Sequence, residues 1–322
     1  MLLGGLALIV KGGDFFVAAA IRLAEFLRMP RVVVGSTLVS LTTTTPELVV
    51  SVMAGLHGEA GLAVGNAIGS CICNIGLILG VTATLKHVDV NFRALRLPLV
   101  VMIGCGVLLL LMTLDLQLVR WQGAVLLAGG LGYFIWDFVR HWRDRMPKDI
   151  AEATAIEKDR TTARWAWVET RPGTVAQFIL GAAIVVGGSK LLVDGAVGFA
   201  GRLGVPPIVI GLTIVALGTS LPELVTAVTS SRKSVSDLAV GNVLGANIAN
   251  LTLIVGTAAV IHTVSMDRFT QLFNFPSMLA VMALLALMLW TGARVTRREG
   301  AVLLGVYGLY LVVLAFLTLA TN

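Results

Sequence analysis

The chain has 322 residues, of which 57% are hydrophobic and 13% charged, against about 25% charged in an ordinary soluble domain. Its mean hydropathy of +0.92 takes it out of the soluble class before any motif is read. The net charge of +6 does not mark a nucleic-acid binder. The basic residues lie in short hydrophilic gaps between apolar runs, and no basic face is interleaved with aromatics.

Ten apolar runs follow one another, at roughly 2–27, 32–56, 60–85, 96–114, 119–139, 174–200, 206–230, 236–261, 271–292 and 299–320. Each approaches the ~20 residues a helix needs to cross a hydrocarbon core, so the expected fold is an all-α membrane protein of ten transmembrane helices. The first run has no basic leader and no clear small-residue cleavage site, and reads as a retained span rather than a signal peptide. In spans one and six, Lys11 and Asp14, Arg22 and Glu25, and Lys190 and Asp194 sit three or four apart, the spacing of helix-surface charge pairs. Cys71, Cys73 and Cys105 lie in apolar runs without metal or redox spacing and read as buried free thiols. His57, His87, His141 and His262 fall near span ends, where solvated side chains are expected. The one sizeable polar stretch divides the chain into a first five-helix part (1–139), a linker (140–172) and a second five-helix part (173–322). With ten spans and both termini outside, 18 Lys and Arg fall in cytoplasmic segments and three in outer ones, the bias of the positive-inside rule.

An internal repeat is plain. One constant shift in register aligns 35–80 with 211–256 without a gap. GSTLVSLTTTTPEL at 35–48 matches GLTIVALGTSLPEL at 211–224 at eight of 14 positions. LAVGNAIGSCICNIGLILG at 62–80 matches LAVGNVLGANIANLTLIVG at 238–256 at 11 of 19. Chance likeness between apolar segments matches Leu and Val, but not Pro, Glu, Asn and several Gly in one register. The copies begin five spans apart. Five is odd, so the second copy enters the membrane from the opposite side. The expected architecture is therefore two inverted five-helix repeats, a transporter plan that places the binding site near mid-membrane.

Glu47 and Glu223 lie near the middle of spans two and seven, with no Lys or Arg near them in those spans. An acidic residue at the helix centre costs about 2.5–3.5 kcal/mol on insertion scales and marks a protein interior or wet cavity. A cation or a proton is the expected partner; a protonated, hydrogen-bonded core carboxyl is the structural alternative. Pro46 and Pro222 precede the glutamates. Each removes a hydrogen bond and pushes away the carbonyl four residues earlier, at Thr42 and Gly218, and carbonyls freed at membrane depth need a partner. The hydroxyls of Thr42, Thr43, Thr44, Thr45, Thr219 and Ser220 either add oxygen ligands or bond back onto the helix.

Spans three and eight supply GNAIGSCICN (65–74) and GNVLGANIAN (241–250). Glycines at 65, 69, 241 and 245 make a smooth face for close helix packing. Asn74 follows Glu47 at the same spacing as Asn250 follows Glu223. Both offer neutral oxygen ligands, whereas Asn66 and Asn242 read first as helix-to-helix hydrogen bonders. Carboxylates, carboxamides, hydroxyls and carbonyls together suit hard ions such as Ca²⁺ and Na⁺ rather than zinc or copper.

These segments resemble the sodium/calcium exchanger branch of the calcium/cation antiporter family. The resemblance rests on two G-x-T-x-x-x-x-x-[TS]-x-PEL segments and two GNxxGxxxxxN segments and extends over the whole chain. It implies alternating access, with spans one and six sliding against the rest, and Glu47 and Glu223 as shared Ca²⁺ and Na⁺ ligands. It further implies carbonyl ligands from Thr43 and Thr219, hydroxyl ligands from Thr44, Ser220 and Ser70, backbone oxygens of Ser40 and Ala216 at outlying Na⁺ sites, and Asn74 and Asn250 at the centre. The sequence departs from the pattern at Thr42, where the family has Gly, at Ala246, which opposes Ser70 without a hydroxyl, and at Cys71, which replaces the Asn of the usual GSN. Asn250 stands where some relatives have Asp, and dependence on K⁺ is the weaker expectation.

The expected function is secondary active exchange of Ca²⁺ for Na⁺ across a cell inner (plasma) membrane, with H⁺-coupled Ca²⁺ exchange as the alternative. No enzyme activity, cofactor or nucleic-acid partner is expected; the partners are the transported ions and the lipid bilayer.

Overall fold

The computed structural model describes residues 2–57, 60–143, 170–202, 216–292 and 294–320. Most of the 140–172 linker and the opening ten residues of the expected span at 206–230 lie outside them. The elements in chain order are α1 (Leu2–Leu27), α2 (Arg31–Thr43), α3 (Thr45–Leu56), α4 (Ala60–Cys73), α5 (Gly80–Leu85), β1 (Val88–Asp89), α6 (Phe92–Met112), β2 (Gln117–Leu118), α7 (Arg120–Arg143), α8 (Arg171–Arg202), α9 (Ala216–Thr219), α10 (Leu221–Arg232), α11 (Ser236–Ala249), α12 (Val255–Ile261), β3 (Val264–Ser265), α13 (Phe275–Gly292), β4 (Arg294–Val295) and α14 (Arg297–Ala320). Single π-helical turns interrupt α2 at Gly35–Val39, join α4 to α5 at Asn74–Leu79, join α11 to α12 at Asn250–Ile254, and lead into α13 at Thr270–Asn274.

Among the described residues seven helices are long and apolar enough to cross a membrane, and the pair Arg31–Thr43 and Thr45–Val52, bent by 41°, makes an eighth if it is one span. The seven correspond to expected spans three to six and eight to ten, and the bent pair to the second. The first expected span is one 26-residue helix that carries Lys11, Asp14, Arg22 and Glu25. The seventh begins outside the described residues.

The chain divides into two compact units, Met1–Glu47 with Leu131–Ala246, and Leu48–Gly130 with Asn247–Asn322. Each takes one segment from either side of the linker.

In the first unit, α1 lies along α8. Phe16 and Phe178 meet with ring centroids 4.7 Å apart, inside a buried cluster that includes Val17, Ala20 and Val185. Arg22 donates to the side-chain oxygen of Gln177, whose amide donates 2.9 Å to the Phe15 carbonyl. α2 packs on α11 backbone to backbone. A Cβ added at Gly241 would lie 2.2 Å from the Val32 carbonyl oxygen, and one at Gly245 would lie 2.2 Å from that of Ser36. This is the close approach expected of small residues, and the Arg31–Asp237 ion pair at 3.5 Å sits at one end of it. The charge pairs expected on the spans are not borne out at two places. Lys11 and Asp14, and likewise Lys190 and Asp194, are exposed and form no ion pair among the described residues. Helical spacing makes such residues neighbours, but does not make long solvated side chains meet. His141 departs from the solvated reading too, since it sits half-buried 3.4 Å from Asp137, itself 1% exposed.

The second unit is closed by two short antiparallel pairs, β1 with β4 and β2 with β3. α14 packs on α5 through Gly300 and Gly80, and α7 packs on α12 through Gly123 and Gly256. All three cysteines are free thiols, and Cys71 and Cys73 are buried.

Local features recur at the repeat spacing well beyond the aligned segments. α5 and α12 both end in an extended residue, Lys86 (φ −148°, ψ 132°) and His262 (φ −143°, ψ 136°). Asn91 and Asp267 each accept from a backbone N–H at the next helix start. Gln122 and, one position off the register, Glu299 each reach back to a backbone N–H three residues earlier.

Candidate functional site

The carboxylates belong to the first unit. α2 ends at Thr44 (φ −80°, ψ 4°) and α9 at Ser220 (φ −89°, ψ 7°). Both residues occupy the sparsely populated bridge region, and α3 and α10 start immediately after them, with Pro46 and Pro222 in the first turn. The reason is local: proline cannot donate into the preceding turn and fits the first turn of a helix, whose N–H groups have no intrahelical acceptor. Glu47 and Glu223 thereby fall in a helix's first turn, where the helix dipole favours negative charge. Both are 1% exposed.

Thr44-x-x-Glu47 and Ser220-x-x-Glu223 have the spelling of a capping box, but the hydroxyls do other work. Thr44 donates back 2.6 Å to the Ser40 carbonyl, while Ser220 makes no cap and instead donates 3.4 Å to the Glu47 carboxylate. The two glutamates are electrostatic neighbours. The hydroxyls of Thr43 and Thr44 lie beside Glu223, yet neither of its oxygens gains a hydrogen bond of good geometry among the described residues, and the second oxygen of Glu47 is likewise unpartnered. No lysine or arginine pairs with either carboxylate among the described residues. Two buried carboxylates short of donors leave a charge that burial makes expensive.

The threonine hydroxyls follow the back-bonding alternative. Thr42 donates to Leu38 at 2.6 Å, Thr45 to Leu41 at 3.3 Å, and Thr43 to both Ser40 at 3.3 Å and the Asn242 side-chain oxygen at 3.2 Å. Asn242 is thus a helix-to-helix bonder, as expected. The Ser40 carbonyl, an ion ligand by resemblance, already accepts the Thr44 N–H at 2.9 Å as well as two hydroxyls. The Ser40 hydroxyl turns to Ser36, 2.9 Å away. Ala216 and Thr219 bound the short helix α9.

The carboxamides Asn74 and Asn250 belong to the second unit, 1% and 0% exposed. Each opens a π-helical turn, a device that re-aims side chains and recurs at functional sites. The Asn74 amide donates 2.9 Å to the side-chain oxygen of Asn247, and its own oxygen is unpartnered among the described residues, as are both polar atoms of Asn250. The Cys71 thiol is the neighbour of Asn250 and lies 3.8 Å from the Asn247 backbone oxygen. Ser70 is buried at 4% exposure. Asn66 reaches Ser51 at 3.4 Å, again a packing contact.

Asn247 is the residue that sequence reasoning passed over. Its signal was its register: it is the repeat mate of Cys71 and keeps the amide that the first copy has lost.

Among the described residues no group of three or more His, Cys, Asp and Glu gathers as a metal cluster would. The candidate donors are all oxygen: carboxylate, hydroxyl and carbonyl in the first unit, and carboxamide in the second. Such donors suit hard, labile cations.

The chain as a whole is similar to known proteins. The family model described as "Sodium/calcium exchanger protein" matches residues 1–137 and 173–316. The sodium/calcium exchanger MaX1 of Methanosarcina acetivorans is 32% identical, with 98% of either chain covered. The inner membrane protein YrbG of Escherichia coli is 34% identical over 99% of this chain and 97% of its own. Among solved structures, the sodium-calcium exchanger NCX_Mj, soaked without Na⁺ or Ca²⁺, superimposes with a TM-score of 0.80 at 26% identity, covering 97% of each chain.

Proposed function

Because the chain belongs to the sodium/calcium exchanger family, we propose that it exchanges Ca²⁺ for Na⁺ by alternating access, with Glu47 and Glu223 as ligands shared by both ions. At the coarser level it is a multi-pass membrane protein and an ion antiporter, and its relatives are transporters rather than enzymes.

The observation that carries the proposal is the pair of buried, Pro-positioned carboxylates lacking a cationic side chain among the described residues. Their joint charge of about −2 is neutralised by one Ca²⁺ or by Na⁺ ions in neighbouring places, and mutual exclusion at common ligands couples the two fluxes. We assign the remaining ligand roles to Asn74 and Asn250 through their carboxamides, to Thr44, Ser220 and Ser70 through hydroxyls, and to Thr43, Thr219, Ser40 and Ala216 through backbone oxygens. For Ser40 the ion has to displace hydrogen bonds already made, which makes it the weakest member of the set.

The inverted-repeat architecture, with halves at 1–139 and 173–322, belongs to the same proposal. The helix breaks at Thr44 and Ser220, and the π turns opening at Asn74 and Asn250, stand in the register of the repeat. Orientation in an inner membrane with both termini outside rests on the charge bias alone; the strands are consistent with the ten-span order but do not choose a side. β1 pairs with β4 and β2 with β3, and each pair joins connections that the charge bias puts on one side.

The test is uptake of radiolabelled Ca²⁺ into proteoliposomes under an outward Na⁺ gradient. Uptake is expected with the Na⁺ gradient. Uptake driven instead by a pH gradient alone, with none from Na⁺, would replace Na⁺ by H⁺ as the coupling ion.

A further inference from the structure

In the second unit Met102, Asn247 and Asn74 stand in one chain of polar contacts. Asn247 is fully buried. Its amide nitrogen lies 3.5 Å from the Met102 sulfur, and its oxygen accepts the Asn74 amide at 2.9 Å. A carboxamide has a donor end and an acceptor end of nearly equal shape, so packing alone does not choose between the two orientations. A thioether does choose. It is a weak acceptor with no hydrogen to give, so it can face an NH₂ group and gains nothing from a carbonyl. Met102 therefore points the Asn247 oxygen toward Asn74. That oxygen in turn requires the NH₂ of Asn74, which leaves the Asn74 oxygen as the end without a partner among the described residues.

We propose that Asn247, held by Met102, is a positioning residue that makes Asn74 present oxygen rather than NH₂ to a hard cation. The proposal rests on the reading of Asn74 as an ion ligand. In the reversed orientation the Asn74 oxygen would be occupied by Asn247, and the Asn74 NH₂ would confront the ion with partial positive charge. The role falls to one copy of the repeat only, since the mate of Asn247 is Cys71, whose thiol donates weakly and has no carbonyl.

The experiment measures Ca²⁺ affinity of the purified full chain by titration calorimetry, with Ca²⁺ exchange in proteoliposomes and melting temperature without Ca²⁺ beside it. Met102→Leu keeps the packing and removes the acceptor. If the two orientations of the amide pair then become equally populated, the competent fraction falls to about half and the apparent Kd rises about twofold. Asn247→Ala should raise it by at least as much, while the maximal exchange rate stays closer to wild type than the affinity does. Asn247→Asp offers an acceptor at both ends, so in that background Met102→Leu should no longer change the Kd. That loss of coupling is a readout a purely structural role would not move. An unchanged Kd in both Met102→Leu and Asn247→Ala, alongside a weakened Asn74→Leu, overturns the relay but leaves the ligand reading intact. A wild-type Kd in Asn74→Leu overturns the ligand reading and the relay with it. Equal effects of Met102→Leu with and without Asn247→Asp also overturn the relay.

Discussion

The two copies of the repeat build the same backbone and furnish it differently. In both, a helix stops at a hydroxyl residue in nearly the same conformation, Thr44 and Ser220, and a glutamate enters the first turn of the next helix. The first copy reads TTTTPE, and its hydroxyls turn inward onto their own helix at Leu38, Ser40 and Leu41. The second reads GTSLPE, and its serine hydroxyl goes to Glu47. The lesson is that proline position sets the break, while the surrounding side chains decide how much of the charge is already satisfied. Glu47 has one hydroxyl donor; Glu223 has no hydrogen bond of good geometry among the described residues.

The largest effect expected is therefore at Glu223. Removing a carboxylate contact to a bound cation costs ~3 kcal/mol, a loss of about 100-fold in Ca²⁺ affinity. Glu223→Gln should reach or exceed this. Glu47→Gln should fall somewhat short, because the amide oxygen still accepts from Ser220. The double variant should lower Na⁺-driven Ca²⁺ uptake to the level of protein-free liposomes. Substantial uptake in the double variant would sink the assignment of both residues, and a larger loss from Glu47→Gln alone would reverse the asymmetry.

A second contrast lies in the glycines. Gly245 has the Ser36 carbonyl oxygen 2.2 Å and the Ser40 hydroxyl 2.4 Å from where a Cβ would stand, whereas its repeat mate Gly69 has no described atom within 4 Å. A methyl at 245 must push two backbones apart, a cost of about 1–3 kcal/mol. Gly245→Ala should lower the melting temperature in detergent by several degrees, and Gly69→Ala should barely move it. Equal shifts would mean that the second site is as closely packed as the first.

What could be read from the chain and what could not follow the same line. Glu, Pro, Asn and Gly inside apolar runs are costly or conformationally distinctive, so their recurrence in one fixed register exposed the duplication, a disturbance of the helix before each proline and the packing of Gly241 and Gly245; the exact break residues, Thr44 and Ser220, were not read, and Gly65 and Gly69, expected to pack closely too, have no described atom within 4 Å of an added Cβ. Contacts that depend on where long side chains turn were not legible. Spacing placed Lys11 near Asp14, but both are exposed and form no ion pair among the described residues. Arg22 engages Gln177, 155 positions away in sequence. His141 meets a buried Asp137 that composition alone gave no reason to single out. Two-residue strands such as Val88–Asp89 carry no periodicity to detect, and the partner of Asn74 needed the fold to bring Asn247 beside it. The capping-box spelling would have misled, because a local rule predicts local bonds and these hydroxyls serve other acceptors.

The smallest effect tests the hydroxyls themselves. Ser220→Ala deletes the hydroxyl donor to Glu47. A hydrogen bond to a charged group contributes about 1.5–3 kcal/mol at good geometry. The 3.4 Å separation here puts this one below that range, at ~1 kcal/mol or about fivefold in Na⁺ affinity. Thr44→Ala deletes a hydroxyl that gives its hydrogen to the Ser40 carbonyl at 2.6 Å and keeps its lone pairs for the ion, without the bond that Ser220 makes to Glu47, so its effect on ion affinity should be the smaller, about twofold. Na⁺ titrations of Ca²⁺ uptake by the two variants, side by side, read the difference directly. If Thr44→Ala proves as damaging as Ser220→Ala, then the Thr44 hydroxyl counts for as much at the ion as the Ser220 hydroxyl does, and the asymmetry between the copies belongs to the ion-free arrangement alone.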